Sequence, residues 1–221
     1  MIPLPSAVDG AIGPFRCGDS TLSDPEIRAA FSPGGGGSTA APWLVLEEVE
    51  CWRGYVRADY LCLAADTLSV IEIKSDRDSL HRFDEQVRVY SAVADRVTLI
   101  VGWSLAARAL RAAPSWWDVV LAERVPTLDI RFVPLRDGAQ NPSVAADALA
   151  AMLPIDDVRR LARGVNPSLG RLRGQLLRHA VADHLSCDEL RIAVREWLAR
   201  LSRKRDETPA PMLGSPCNLG N

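Results

Sequence analysis

The sequence predicts an α/β fold, a mixed central sheet flanked by helices and followed by a basic helical extension. Between residues 43 and 134, runs rich in β-branched and apolar residues alternate with helical periods in the order three strands, helix, strand, with a short helix ahead of them. From Pro142 onward the apolar spacing is helical throughout. The 221 residues, 48% of them hydrophobic, suffice for one full-sized core and a small appendage.

Residues 1–22 are rich in Pro and Gly, lack a period and read as a flexible leader. Ser23-Asp24-Pro25-Glu26 starts a short helix running to about Phe31, with Ser as cap, Pro in the first turn and an early acid. Residues 33–42, with Gly34 to Gly37 in a row, form a loop. Strands are expected at 43–50, 56–64 and 68–75. A helix follows over 79–94, where Leu80, Phe83, Val87, Tyr90 and Ala94 step by three and four and share a face. Residues 96–102 read as a buried strand, 105–112 as a helix, and 119–123 and 129–134 as the last strands. Four helices are expected at 143–152, 155–163, 168–184 and 186–204, parted by Pro154 and by Gly164-Val165-Asn166-Pro167. The chain thus divides into the leader 1–22, a core over 23–140, a helical C-terminal subdomain over 141–205 and a disordered tail over 206–221.

The net charge of -2 conceals an asymmetry: residues 155–205 carry +6 and residues 1–154 carry -6. That is the disposition of a carboxylate site beside an anion-binding surface, or of a solvated helical face charged by chance. Five cysteines, Cys17, Cys51, Cys62, Cys187 and Cys217, form no C-x-x-C pair. They argue against a disulfide framework or a zinc site and for a reducing cytoplasm. No apolar run approaches the ~20 residues of a spanning helix, and residues 1–19 lack the basic start and long apolar stretch of a secretory signal. Of the 26 basic residues, 24 are Arg; only Lys74 and Lys204 are Lys. A lysine kept inside an apolar strand points to chemistry that guanidinium cannot supply, because an ammonium is compact and can change protonation state.

That lysine sits in Val70-Ile71-Glu72-Ile73-Lys74. Alternation puts Glu72 and Lys74 on one face of the strand and Ile71 and Ile73 on the other. If the strand forms a hairpin with the preceding one, turning at Ala65-Asp66, Asp59 stands opposite Glu72, with Cβ atoms ~5 Å apart. Two carboxylates so close repel and call for a cation. Mg²⁺ binds through one or two carboxylates and keeps several waters, and a water acidified by the metal can attack a phosphodiester. Lys74 is placed to orient that water or to neutralise charge on the phosphate.

Asp59 followed by Glu72-Ile73-Lys74 resembles the signature of the PD-(D/E)XK, or restriction-endonuclease-like, nucleases, with Ala58 where the name has Pro. Gln86-Val87-Arg88-Val89-Tyr90 on the next helix resembles the Q-x-x-x-Y of their RecB-like branch. A wider likeness runs from Ser23 to Arg205 and is similar to small stand-alone bacterial proteins related to the MmcB-like DNA-repair nucleases. It is carried by Asp24-Pro25-Glu26-Ile27-Arg28, Glu47-Glu48, Arg57-Ala58-Asp59, the run from Glu72 to Phe83, Pro114-Ser115-Trp116-Trp117 and Asp188-Glu189-Leu190-Arg191. The resemblance implies an αβββαβ core and metal-dependent phosphodiester hydrolysis that leaves a 5′-phosphate. It implies Mg²⁺ or Mn²⁺ on Asp59, Glu72 and the backbone carbonyl of Ile73, with Glu26 or Glu48 as a further ligand. Lys74 would serve the water, Gln86 would hold Lys74 or the phosphate, and Tyr90 would pack behind.

Arg77, Arg82 and Tyr90, with Arg171, Arg173 and Arg178 of the basic helices, are the nucleic-acid contact candidates. Asp76 and Asp78 are candidates to cap the helix after the motif strand or to lie near the metal. DNA is favoured over RNA, in repair, defence or mobile-element processing; the alternatives are an RNA-directed nuclease with the same site and the fold retained for nucleic-acid binding or assembly alone. A homodimer is in keeping with small nucleases that cut two strands, and no membrane partner is expected.

Overall fold

The computed structural model describes residues 21–31, 33, 44–52, 54–64, 67–126 and 129–207, with side chains through residue 203. The glycine run Gly34 to Gly37, almost all of the leader and the tail from residue 208 lie outside the described residues. Leu22, counted above with the leader, belongs to the fold: its side chain is buried and its amide donates to Asp76 Oδ2 at 2.8 Å.

Six strands form one mixed sheet in the order in which they occur along the chain. They are β1 (Leu44–Cys51), β2 (Val56–Ala64), β3 (Thr67–Lys74), β4 (Arg96–Gly102), β5 (Asp118–Arg124) and β6 (Ile130–Arg136). The first three pair antiparallel, β3–β4–β5 pair parallel, and β6 returns antiparallel. Both crossovers between parallel strands are helical, as parallel pairing requires: α2 (Phe83–Val93) joins β3 to β4, and α3 (Trp103–Ala112) joins β4 to β5. Ahead of the sheet lies α1 (Asp24–Ala30), and after it α4 (Ala146–Met152), α5 (Ile155–Val165), a 3₁₀ turn (Leu169–Arg171), α6 (Gly174–His184) and α7 (Cys187–Glu207).

The sheet separates two cores. The larger gathers Leu61, Leu63, Val70, Leu99, Val101 and Leu121 under α2, α3 and the C-terminal helices. The smaller holds Tyr60, Ile71, Ile73 and Ile100 with Leu22 and with Ile27 of α1. Adjacent residues of β3 fall into opposite cores, which is the period-two alternation read from the sequence. The C-terminal helices share the large core and pack on α2 and β1, so they wrap the sheet.

Four boundaries differ from the sequence reading by more than two residues, the first three for local reasons. The helix expected from residue 79 begins at Phe83, because Asp78 folds back to accept the amide and hydroxyl of Ser75 at 2.7 and 2.6 Å. The helix expected from 143 begins at Ala146: the Asn141 amide donates to the carbonyls of Ser91 and Ala94, and Ala145 N–H to Ala92 O, which pins this stretch extended against the end of α2. The helix expected over 168–184 is interrupted by extended backbone at Leu172 and Arg173 and starts at Gly174, whose φ of +55° is left-handed and open to glycine without strain. The last helix runs on to Glu207, past the expected start of the tail.

Candidate active site

The hairpin register is the one read from the sequence: Tyr60 faces Ile71, Leu61 faces Val70, and Ala64 faces Thr67. The ladder stops there. One step on, Asp59 stands beside Glu72 and its side chain replaces the missing rung: Asp59 Oδ2 accepts the Ile73 amide at 2.7 Å. Strands β1 and β2 both lose their alternation at this level. On β1, Leu46 shares the large core with Val49 and Cys51, and on β2, Leu61 shares it with Ala58 and Val56, so each chain shifts phase. The shift is located at Glu48, a non-glycine residue at φ 54°. Such irregularities re-aim side chains next to active sites. Here the β1–β2 pairing lapses across Glu48 and Asp59, which brings carboxylates from three adjacent strands to one level.

Glu72 is the fixed point. It is 2% exposed, and three donors hold it: Lys74 Nζ at 2.6 Å and Gln86 Nε2 at 2.5 Å on Oε1, and the Tyr90 hydroxyl at 2.7 Å on Oε2. A carboxylate offers about four lone-pair positions, so one direction stays open toward the cleft. The spacing that brought Gln86 and Tyr90 together, four residues on one helical face, is what lets α2 supply two of these donors. Phe83 and Tyr90 in turn pack on the fully buried Trp117, with ring centroids 5.9 and 6.2 Å apart. Trp117, noted in the sequence only as part of a family-like element, is thus the buttress behind Glu72.

Asp59 is held less completely. Burial, then repulsion from Glu72, push its carboxyl up to about 7, against the opposing pull of the Ile73 amide, Arg28 and Lys74. A carboxyl near neutrality beside a buried carboxylate is a site at which a cation would displace a proton. The cleft over these residues has a volume of about 660 Å³ and is lined by six acidic and four basic side chains. The Gln86 Oε1 atom is buried without a hydrogen-bond partner, an acceptor left over at the side of Glu72. Hard oxygen donors, excess negative charge and a spare acceptor fit a divalent cation. Ile73 contributes backbone to the cleft, since its side chain lies in the small core.

Arg28 is the residue that sequence reasoning missed. From α1 its guanidinium pairs with Asp59 Oδ1, with Glu48 Oε1 at 2.9 Å and with Asp24 Oδ2 at 2.8 Å. Its signal was present: Asp24 and Arg28 are four apart, so they share the helix face that meets the site. By the same geometry Glu26, two residues from each, points elsewhere. It closes a capping box with Ser23 and pairs with Arg124, which together hold its carboxyl down at about 2. Glu26 therefore does not line the cleft, whereas Glu48 does, between Arg28 and Arg57. With the folded value depressed, Glu26 stabilises the fold above its ordinary range, near 4.5, and that contribution is lost as pH falls toward 2. Glu26→Gln should lower Tm by a few degrees at neutral pH, and thermal melts should show the gap to wild type closing as pH falls from about 5 through about 2.

The remaining candidates divide. Arg82 is exposed and lines the cleft; Arg77 is exposed and does not. Tyr90, placed above among the nucleic-acid contacts, is fully buried and cannot touch a polymer. Arg178 is turned to the end of α4, donating to the carbonyls of Ala150 and Leu153, a C-terminal capping role. Arg171 and Arg173 are exposed and lie outside the cleft. Asp76 and Asp78 do not cap α2: Asp76 accepts the amides of Leu22 and Ser104 at 2.8 and 2.7 Å, and Asp78 folds onto Ser75. Among the described residues Cys51, Cys62 and Cys187 are free, and no helix is long and apolar enough to cross a membrane.

A family model described as Bacteriophage P4 protein cII matches residues 37–208. No protein with curated annotation matches the chain. Among solved structures, the SPO1766 protein of unknown function from Silicibacter pomeroyi is similar at 16% identity, over 77% of this chain and 85% of that one, with a TM-score of 0.36. A likeness that loose carries no argument about chemistry.

Proposed function

The chain belongs to the bacteriophage P4 cII family, and from its site we infer that it is a metal-dependent nuclease that hydrolyses phosphodiester bonds, with DNA as the favoured polymer. The observation that carries this reading is Glu72: a buried carboxylate held by Lys74, Gln86 and Tyr90 and placed beside Asp59 at the floor of an acidic cleft. The order helix, three antiparallel strands, helix, parallel strand supports a restriction-endonuclease-like core. Asp59, Glu72 and the Ile73 carbonyl would hold Mg²⁺ or Mn²⁺, with Glu48 at the edge. Such a cation supplies Lewis acidity and an acidified water. Lys74 Nζ sits on Glu72 Oε1 with its side chain 14% exposed, within the cleft, where it can orient the attacking water and steady charge on the phosphate. Arg82 and Arg57 give the rim positive charge for the flanking backbone. The family's name is that of a bacteriophage protein, which agrees with work on mobile elements; a reducing cytoplasm is the compartment we propose.

A second reading, a nuclease fold kept for binding or assembly, has Arg28 on its side, because a guanidinium already neutralises Asp59. Incubating the protein with single- and double-stranded DNA and RNA, with Mg²⁺ or Mn²⁺, separates the two. Cleavage of at least one polymer is expected, falling ~10²–10⁴-fold in Lys74→Ala. Equal behaviour of wild type and Lys74→Ala on every substrate would favour the non-catalytic reading.

A further inference from the structure

The tip of the β1–β2 hairpin carries a feature that the carboxylate site does not need. Trp52 and Gly54 both take left-handed backbone, φ 46° and 82°, and Tyr55 N–H closes back on Trp52 O at 3.3 Å. This tight reversal turns one ring outward. Cys51 and Val56 on either side are buried, whereas Tyr55 is 59% exposed, the one exposed Phe, Tyr or Trp among the described residues. The ring is not loose. The Arg88 guanidinium on α2 lies 5.7 Å from the centroid of Tyr55 and 4.9 Å from that of Trp52, bridging the two by cation–π contact. Tyr55 lines the same cleft as Asp59 and Glu72, and Arg57 and Arg82 share that lining.

A flat ring held out in solvent, braced from behind and flanked by arginines, has the properties that bind a nucleobase: π-surface for the base and positive charge for its phosphates. Base pairs inside a duplex already stack on both faces, so such a ring is open only to an unpaired base. We propose that Tyr55, braced by Arg88 and Trp52, is a stacking platform that selects unpaired DNA, single strands or frayed ends, for the carboxylate site. The proposal rests on the nuclease reading for what happens next, but not for binding itself. Stacking tolerates any base, so the platform selects strandedness and not sequence.

Binding and cutting are therefore tested separately. Binding of a fluorescein-labelled single-stranded DNA, a duplex of the same sequence with G·C-clamped ends that do not fray, a single strand of RNA and an abasic single strand is followed by anisotropy. Mn²⁺ is present, and the Lys74→Ala background keeps the strands intact. Tyr55→Ala should weaken single-strand binding ~5–100-fold, the range of one lost base stack, and leave duplex binding within about twofold. Tyr55→Phe, which keeps the ring, should restore it, and the abasic strand should bind both proteins alike. Equal RNA binding would extend the platform to unpaired polynucleotide in general. Unchanged single-strand binding in Tyr55→Ala, or an equal loss on duplex, would overturn the platform. Wild-type cleavage that is present but blind to Tyr55 removes the platform alone; Tyr55-dependent binding without any cleavage removes the nuclease alone.

Discussion

Glu72→Gln should abolish divalent-cation binding and any cleavage that depends on it, while the protein stays folded. The substitution keeps shape and volume but replaces one carboxylate oxygen by an amide –NH₂, which must face either Lys74 and Gln86 on the Oε1 side or Tyr90 on the Oε2 side, all of which donate to Glu72 in the wild type. The mismatch should cost about 1–3 kcal/mol of stability, within reach of a domain of this size. Metal binding is read as a thermal shift: Mn²⁺ at about a hundred times its Kd stabilises by about 2.7 kcal/mol, which is ~5–10 °C for a chain of this length. Glu72→Gln should show no shift. The pH dependence follows from Asp59, whose carboxyl is raised to about 7 by burial and by Glu72. A raised carboxyl favours the fold at low pH, and that contribution is lost as pH rises through about 7, unless a cation takes the place of the proton. The Mn²⁺-induced shift in the wild type should accordingly grow from pH 6 to pH 8. A Glu72→Gln protein that keeps the full Mn²⁺ shift would end the metal reading.

How far the site was legible depends on the range of the forces involved. Asp59, Glu72 and Lys74 could be placed because hairpin register and strand alternation are local rules, and β2–β3 obeys them up to Tyr60–Ile71. The rules stop at Asp59, where the ladder opens and Glu48 takes a left-handed φ. No composition signal marks that break, although the sequence did point to Glu48. Arg28 and Glu26 were separable by helical phase alone; the family resemblance offered Glu26 as one of two further ligands, and a capping box with Ser23 claimed it instead. Tyr90 and Arg178 were misassigned for a different reason. Their side chains reach partners 18 residues or more away, Glu72 and the end of α4, and only the packed tertiary structure reveals such partners. The succession of strands and helices along the chain was legible because helical and strand periods alternate cleanly; the order of the six strands within the sheet was not read from the sequence. The late starts of α2 and α4 were not, since they are set by Asp78 and Asn141 contacts.

Tyr90→Phe should separate the two roles open to this tyrosine. In the structure the ring is fully buried against Trp117, and the hydroxyl donates to Glu72 Oε2 at 2.7 Å while lying 3.1 Å from Arg57 O. Burial, and then the Glu72 charge, push the phenol well above its ordinary range, so it remains a proton donor wherever the protein is folded. Phenylalanine keeps the packing and removes one donor from a buried carboxylate, a loss of about 1–3 kcal/mol in denaturant unfolding. Groups that orient a metal ligand from behind typically set ~10–100-fold in metal affinity, so Mn²⁺ should bind Tyr90→Phe that much more weakly. Metal-free binding of oligonucleotides should be unchanged, since no part of Tyr90 is open to a polymer. Tyr90→Ala adds a cavity beside Trp117 and should cost more, about 3–5 kcal/mol. Wild-type Mn²⁺ affinity in Tyr90→Phe would mean that Lys74 and Gln86 suffice to hold Glu72, and that the tyrosine is there for the core alone.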